Sequence, residues 1–304
     1  MPESISYAVV LTGPAAVSAL DAAVIAAAIR ALDPATIMEA SALADGVAWQ
    51  ALIRPLPARA LDELRARLAA AVAPRPIDVN IVAGEPHQRR KRLLVADMES
   101  TIIEQECLDE LARYAGCSDR IAAITASAMR GERAFEAALE ERVALIGGLD
   151  AKVLDTIYDA VTLMPGAETL VATMRRHGAY CALVTGGFST FSERIADRLG
   201  FDSQQANTLE ISDGKLAGKV RPPILGREAK LDALNRLRRQ LNLDRGETLA
   251  VGDGANDLAM IAAAGLGVAY RAKPIVAAAA PVRIDHGDLS ALLYLQGYRR
   301  AEFA

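Results

Sequence analysis

The chain has 304 residues, enough for one large domain and a smaller one with a sizeable core. Its 52% hydrophobic and 24% charged residues exclude a disordered chain, while 4% aromatics leave the core to Ala, Leu, Val and Ile. A net charge of -4, with Lys and Arg scattered among Asp and Glu, offers no basic stripe for nucleic acid, and the longest apolar stretch, Ala22 to Ile29, is too short to span a bilayer.

Met1-Pro2-Glu3-Ser4 lacks the basic start of a secretory signal. Cys107, Cys117 and Cys181 form no CxxC pair and no even disulfide framework, so reduced thiols in a cytoplasmic protein are expected. His87, His177 and His286 stand far apart, which argues against a histidine zinc site.

In chain order, Ile5 to Leu11 reads as a strand and Pro14 to Ala31 as an Ala-rich helix with Leu20, Val24 and Ile29 on one face. Thr36 to Leu43 and Val47 to Ile53 read as strands joined by the turn Ala44-Asp45-Gly46. Leu61, Leu64, Leu68 and Val72 mark a second helix, stopped by Pro74 and Pro76, and Ile77 to Val82 resumes as a strand. This β-α-β-β-α-β order predicts a small α+β unit over 1–83 with both helices on one sheet face. The order resembles ACT-type domains, which implies ligand binding or dimerisation; Thr12-Gly13-Pro14 supplies no glycine-rich loop for an effector. The polar, basic stretch 84–92 reads as a solvated linker.

From Leu93 to the end of the chain, short apolar runs alternate with long amphipathic helices, the pattern of a parallel sheet covered on both faces. Three runs end in polar residues: Leu93-Leu94-Val95-Ala96 before Asp97, Cys181-Ala182-Leu183-Val184 before Thr185, and Leu249-Ala250-Val251-Gly252 before Asp253. Ligands bind outside the carboxyl ends of such strands, so one edge receives two carboxylates and a hydroxyl. The helical insert from about Glu104 to Thr162 is too long for a crossover and reads as a cap over that edge.

Asp97-Met98-Glu99 places two carboxylates two residues apart beyond a buried strand; a helix N-cap is the competing, lesser reading of the motif alone. Asp253-Gly254-Ala255-Asn256-Asp257 combines a tight turn with two carboxylates able to hold a hard cation, and a helix starting near Asp257 turns its positive end towards an anion. Thr185-Gly186-Gly187 offers a hydroxyl and backbone N–H groups suited to phosphate. Lys230 brings a fixed positive charge, although a lone helix lysine is ordinarily solvated.

Together and in this order, Asp97-Met98-Glu99-Ser100-Thr101, Thr185-Gly186-Gly187, Lys230 and Gly252-Asp253-Gly254-Ala255-Asn256-Asp257 resemble the four motifs of haloacid dehalogenase (HAD) phosphatases, over about residues 92 to 295. The stretches Glu104 to Leu111 and Met129 to Phe135 resemble the phosphoserine phosphatases within that family. The resemblance implies a Rossmann-like α/β core over 93–304 with a cap at about 104–162, and hydrolysis of O-phosphoserine, the last step of serine biosynthesis, through an aspartyl-phosphate. Asp97 is then the nucleophile, and Mg2+ is held by Asp97, Asp253 and the backbone carbonyl of Glu99, with Asp257 behind it. Thr185, Gly186, Lys230 and Asn256 hold the phosphoryl oxygens. Glu99 acts as general acid and base where the family ordinarily has Asp, a departure that shifts the carboxyl by about one bond length. Glu106 meets the substrate ammonium, Arg142 its carboxylate, and Met129 with Phe135 closes the apolar side; as bare sequence, Glu106 and Arg142 are ordinary surface charges. Another small phosphomonoester as substrate, or an inactive amino-acid sensor, are the competing readings.

Overall fold

The computed structural model describes residues 6–129, 132–226 and 228–304. Its first unit comprises β1 (Tyr7–Thr12), α1 (Ala22–Ala31), β2 (Ile37–Ala44), β3 (Ala48–Ile53), α2 (Ala58–Val72) and β4 (Asp78–Ala83). The strands form an antiparallel sheet ordered β2-β3-β1-β4. Alternation divides the side chains: Val9, Leu11, Ala51, Ile53 and Ile81 share a core with Val24, Ala28, Leu64, Leu68 and Val72 of the two helices. Ala8, Val10, Leu52 and Val82 point the other way and join the main core of the molecule. Burial on both faces explains why β3 has no exposed residue.

The helix expected from Pro14 begins only at Ala22. Asp21 caps it, its carboxylate accepting the Val24 N–H at 2.9 Å, while the Leu20 N–H bonds to the Gly46 carbonyl at 3.0 Å and pins the preceding segment to the β2–β3 turn. The stretch 84–92 is likewise not the solvated connection its charges suggest. It contains α3 (Pro86–Arg89), and Arg89 is only 1% exposed, donating Nη2 to Gln50 Oε1 at 2.5 Å and Nη1 to the Leu295 carbonyl at 3.1 Å. Lys91, 9% exposed, donates Nζ to the Gly246 carbonyl at 2.6 Å. Both long side chains bury their stems, and Arg89 ties β3 of the N-terminal sheet to the Leu295 backbone of the larger unit.

The remaining elements are β5 (Leu93–Ala96), α4 (Cys107–Ala115), α5 (Ser118–Met129), α6 (Phe135–Ala144), α7 (Val153–Asp159), α8 (Ala167–Arg176), β6 (Tyr180–Phe188), α9 (Ser189–Leu199), β7 (Ser203–Ser212), β8 (Lys215–Arg221), α10 (Ala229–Gln240), β9 (Thr248–Gly252), α11 (Leu258–Ala263), β10 (Leu266–Tyr270), α12 (Pro274–Ala279), β11 (Val282–Ile284) and α13 (Ala291–Leu295). They build a seven-stranded sheet ordered β11-β10-β9-β5-β6-β7-β8, parallel except for the terminal β7–β8 pair. Helices α4 to α7 fall inside the expected cap. Its two ends are tied together: the Glu104 N–H bonds to the Thr162 carbonyl at 3.0 Å, and Ile103 bridges Leu163. The cap therefore leaves and rejoins the core at one narrow neck. Among the described residues, no helix is long and apolar enough to cross a membrane.

Candidate active site

β9, β5 and β6 are neighbours in the sheet, so the residues at their carboxyl ends, Asp253, Asp97 and Thr185, meet at one edge. Lys230, near the start of α10, reaches the same place: Nζ lies 2.8 Å from Asp97 Oδ1 and 2.6 Å from Asp257 Oδ1. Asp257 also accepts the Gly254 N–H through Oδ2 at 2.9 Å, and Thr101 Oγ1 donates to Asp253 Oδ1 at 3.4 Å. All of these side chains are buried, Asp97 being 5% exposed. Burial together with the neighbouring Asp257 and Asp253 raises the Asp97 carboxyl well above the ordinary carboxylate range, against the pull of Lys230. Lys230, whose own burial would lower it, is held protonated by Asp257 and Asp97.

Asp97, Asp253 and Asp257 bring oxygen atoms within 4.8 Å of one another. Three buried carboxylates exceed the charge that Lys230 can balance, and Lys273 Nζ, 3.5 Å from Asp253 Oδ2, is half exposed. The all-oxygen donor set and the excess negative charge fit a hard divalent cation. The Glu99 side chain is not part of this group.

Glu99 instead faces the cap. Its Oε1 accepts the Cys107 N–H, the first residue of α4, at 2.8 Å. Its other oxygen lies over Gly187, where an added Cβ would stand 2.7 Å from Glu99 Oε2. A larger residue at 187 would displace the carboxylate, so the glycine makes room for the longer acid. Burial first, and Glu106 second, push the Glu99 carboxyl up to about 7. Ser100, with φ of 53°, sends Oγ to Glu106 Oε1 at 2.8 Å. Arg142 is partly buried on α6, donating Nη1 to Thr125 Oγ1 at 3.3 Å and Nε to the Ala138 carbonyl at 3.2 Å. Its burial lowers its pKa, while the negative charges of Asp109, Glu99 and Glu106 oppose that.

A narrow cleft is lined by Phe135, Thr185, Gly186, Leu225, Gly226, Ala229, Lys230 and Asn256. The structure thus gathers Asp97, Lys230, Asp253 and Asp257 in one cluster and sets Thr185, Gly186, Asn256 and Phe135 around the adjoining cleft. The Met129 side chain, with Arg130 and Gly131, lies outside the described residues. Sequence reasoning missed Thr125, which holds Arg142, and Asn207, whose side chain bonds to the Gly186 carbonyl and the Leu225 N–H. Asn207 carried a legible signal: it is the inward polar residue two before buried Leu209 on β7.

Residues 94–262 match the family model of haloacid dehalogenase-like hydrolases. Over 241 residues, 79% of this chain, the protein is 45% identical to the phosphoserine phosphatase of Streptomyces coelicolor, and it spans 59% of that relative's length. It is 41% identical to the phosphoserine phosphatase of Lactococcus lactis over 67% of this chain and 94% of that one. The structure resembles that of a HAD family hydrolase from Salmonella enterica serovar Typhi with a TM-score of 0.81 and 29% identity, covering 95% of this chain and 98% of the other. Sequence pattern, fold and the chemistry gathered at the sheet edge agree, and the chain belongs to the haloacid dehalogenase-like hydrolases.

Proposed function

We propose that this protein is a magnesium-dependent phosphoserine phosphatase. The observation that carries the reading is the buried Asp97–Lys230 contact of 2.8 Å beside the Asp253 and Asp257 carboxylates. Glu106 at the start of α4 and Arg142 on α6 are read as the groups that meet the substrate's ammonium and carboxylate. A substrate with an ammonium and a carboxylate beside its phosphate matches that charge pattern, whereas a sugar phosphate lacks both groups. The Streptomyces and Lactococcus relatives, both named phosphoserine phosphatases, support the same substrate.

In this mechanism the Asp97 carboxylate attacks phosphorus in line, and the serine oxygen departs with a proton from Glu99. Glu99, pushed up to about 7, holds that proton at neutral pH far better than an ordinary carboxyl. A water then gives its proton to Glu99 and attacks the aspartyl-phosphate, releasing phosphate and regenerating Asp97. Lys230, Thr185, the Gly186 N–H and Asn256 bind the phosphoryl oxygens as charge redistributes over them. Mg2+, held by Asp97, Asp253 and the Glu99 backbone carbonyl, would offset the repulsion between the carboxylate and the phosphate dianion. The N-terminal unit over 1–83 is read as ACT-like, joined through 84–92 to a catalytic unit over 93–304, on the support of its β-α-β-β-α-β order. Three free, buried cysteines suit a cytoplasmic location.

The test is phosphate release from a panel of small phosphomonoesters, with Mg2+ or with chelator, for the wild type and Asp97→Asn. Phosphoserine should be the preferred substrate, and both the chelator and Asp97→Asn should abolish its turnover. Absence of any Mg2+-dependent release from the wild type would overturn the proposal.

A further inference from the structure

Asn207 lies on β7 beside β6 and is 1% exposed. Its Nδ2 donates to the Gly186 carbonyl at 2.9 Å, and its Oδ1 accepts the Leu225 N–H at 2.7 Å. One side chain thus ties together two backbone segments that line the same cleft, the end of β6 with Thr185 and Gly186, and the Leu225–Gly226 stretch ahead of α10 and Lys230. The β6–β7 pairing shifts register between Val184 and Phe188, so regular ladder bonds do not span this point. The Asn207 amide substitutes for them.

The consequence reaches the phosphate site through the rigid peptide group. The Gly186 carbonyl and the Gly187 N–H belong to one planar peptide, so fixing the first fixes the second. The Gly187 N–H in turn donates to Thr185 Oγ1 at 2.9 Å. With that lone pair engaged, the Thr185 hydroxyl proton remains to be donated outward. The cap leans on the same seats: a Cβ at Gly186 would stand 3.2 Å from Phe135 Cζ, and the space of a Cβ at Gly226 is already filled by the Glu136 carboxylate.

We propose that Asn207 is a positioning residue of the phosphatase reaction, acting through the Gly186–Gly187 peptide to aim the Thr185 hydroxyl at the phosphoryl group. The inference rests on the phosphatase reading above. Because the phosphoryl group is common to all substrates, the loss in Asn207→Ala should be equal for phosphoserine and p-nitrophenyl phosphate. A 1 Å misplacement near the chemistry costs on the order of a hundredfold, and the expected fall in kcat/KM is about 10- to 100-fold. A residue acting through Thr185 loses most of its effect once that hydroxyl is gone, so Asn207→Ala in a Thr185→Ala background should cost less than about threefold more.

The double-mutant cycle is measured on both substrates, with circular dichroism and thermal melting to verify folding. If Asn207→Ala does not fold, Asn207→Ser, which keeps a hydroxyl at the buried position, is carried through the same cycle. Full additivity with Thr185→Ala, or kcat/KM within twofold of wild type in a folded variant, overturns the role of Asn207. A wild type that hydrolyses only the aryl phosphate overturns the phosphoserine reading and leaves this cycle to be read on that substrate. A wild type that hydrolyses neither overturns both.

Discussion

Glu99→Asp is the substitution that discriminates most sharply between a handicapped catalytic acid and one fitted to its surroundings. It removes one methylene and withdraws the carboxyl by about 1.5 Å. In the wild type, the glutamate spans from the strand β5 end to the Cys107 N–H at 2.8 Å, and Gly187 leaves its second oxygen the space a Cβ at that position would take. The shorter acid cannot hold that bond from the same backbone position. It forfeits a charge-assisted hydrogen bond worth about 1.5–3 kcal/mol and moves the proposed proton donor by more than the ~1 Å that costs about a hundredfold. A hundredfold loss corresponds to about 2.7 kcal/mol of transition-state stabilisation. The assay is steady-state phosphate release from phosphoserine at saturating Mg2+, with kcat compared between wild type and Glu99→Asp. Release of the α4 N-terminus should also raise hydrogen exchange at Cys107. A Glu99→Asp enzyme with kcat equal to or above wild type would refute the reasoning, since the extra methylene would then serve nothing.

Ser100→Ala frees Glu106 from its 2.8 Å hydrogen bond and should raise KM for phosphoserine several-fold while leaving p-nitrophenyl phosphate nearly untouched; a parallel change in both would remove Ser100 from substrate recognition. Arg142→Ala should show the same split more strongly, by about 100-fold in KM for phosphoserine, because a guanidinium–carboxylate pair is lost; equal effects on the two substrates would sink its assigned role. Burial lowers the Lys91 ammonium from its ordinary value near 10.5 to about 8. Between these values the unfolded chain binds more protons than the folded one, so this group adds stability as pH rises from about 8 to 10.5. Urea unfolding should therefore show the wild type gaining on Lys91→Met by up to about 3 kcal/mol between pH 7.5 and 10.5; a pH-independent difference would show that the ammonium is solvated.

The parallel sheet and the motif residues were legible because each depends on local order. A buried run of four residues just before Asp97, Thr185 or Asp253 states both the strand and the edge at which it delivers a side chain, and the helices α4 to α7 fall within the helical insert read at about 104–162. Charge was another matter. The basic stretch 84–92 carries nothing local to say that Arg89 finds its partners 39 and 206 residues away, at Gln50 and Leu295, and so becomes buried. The start of α1 escaped for the same reason, since its upstream segment is held by Gly46 across the β2–β3 turn. Most of all, the sequence placed Glu99 two residues from Asp97 and could not tell whether its extra length was a fault. Only the packed chain brings Cys107 and Gly187 around that carboxylate, and only the broken β6–β7 register gives Asn207 its place, because hydrogen bonds between distant segments are settled by how the layers pack and not by the order of residues along any one of them.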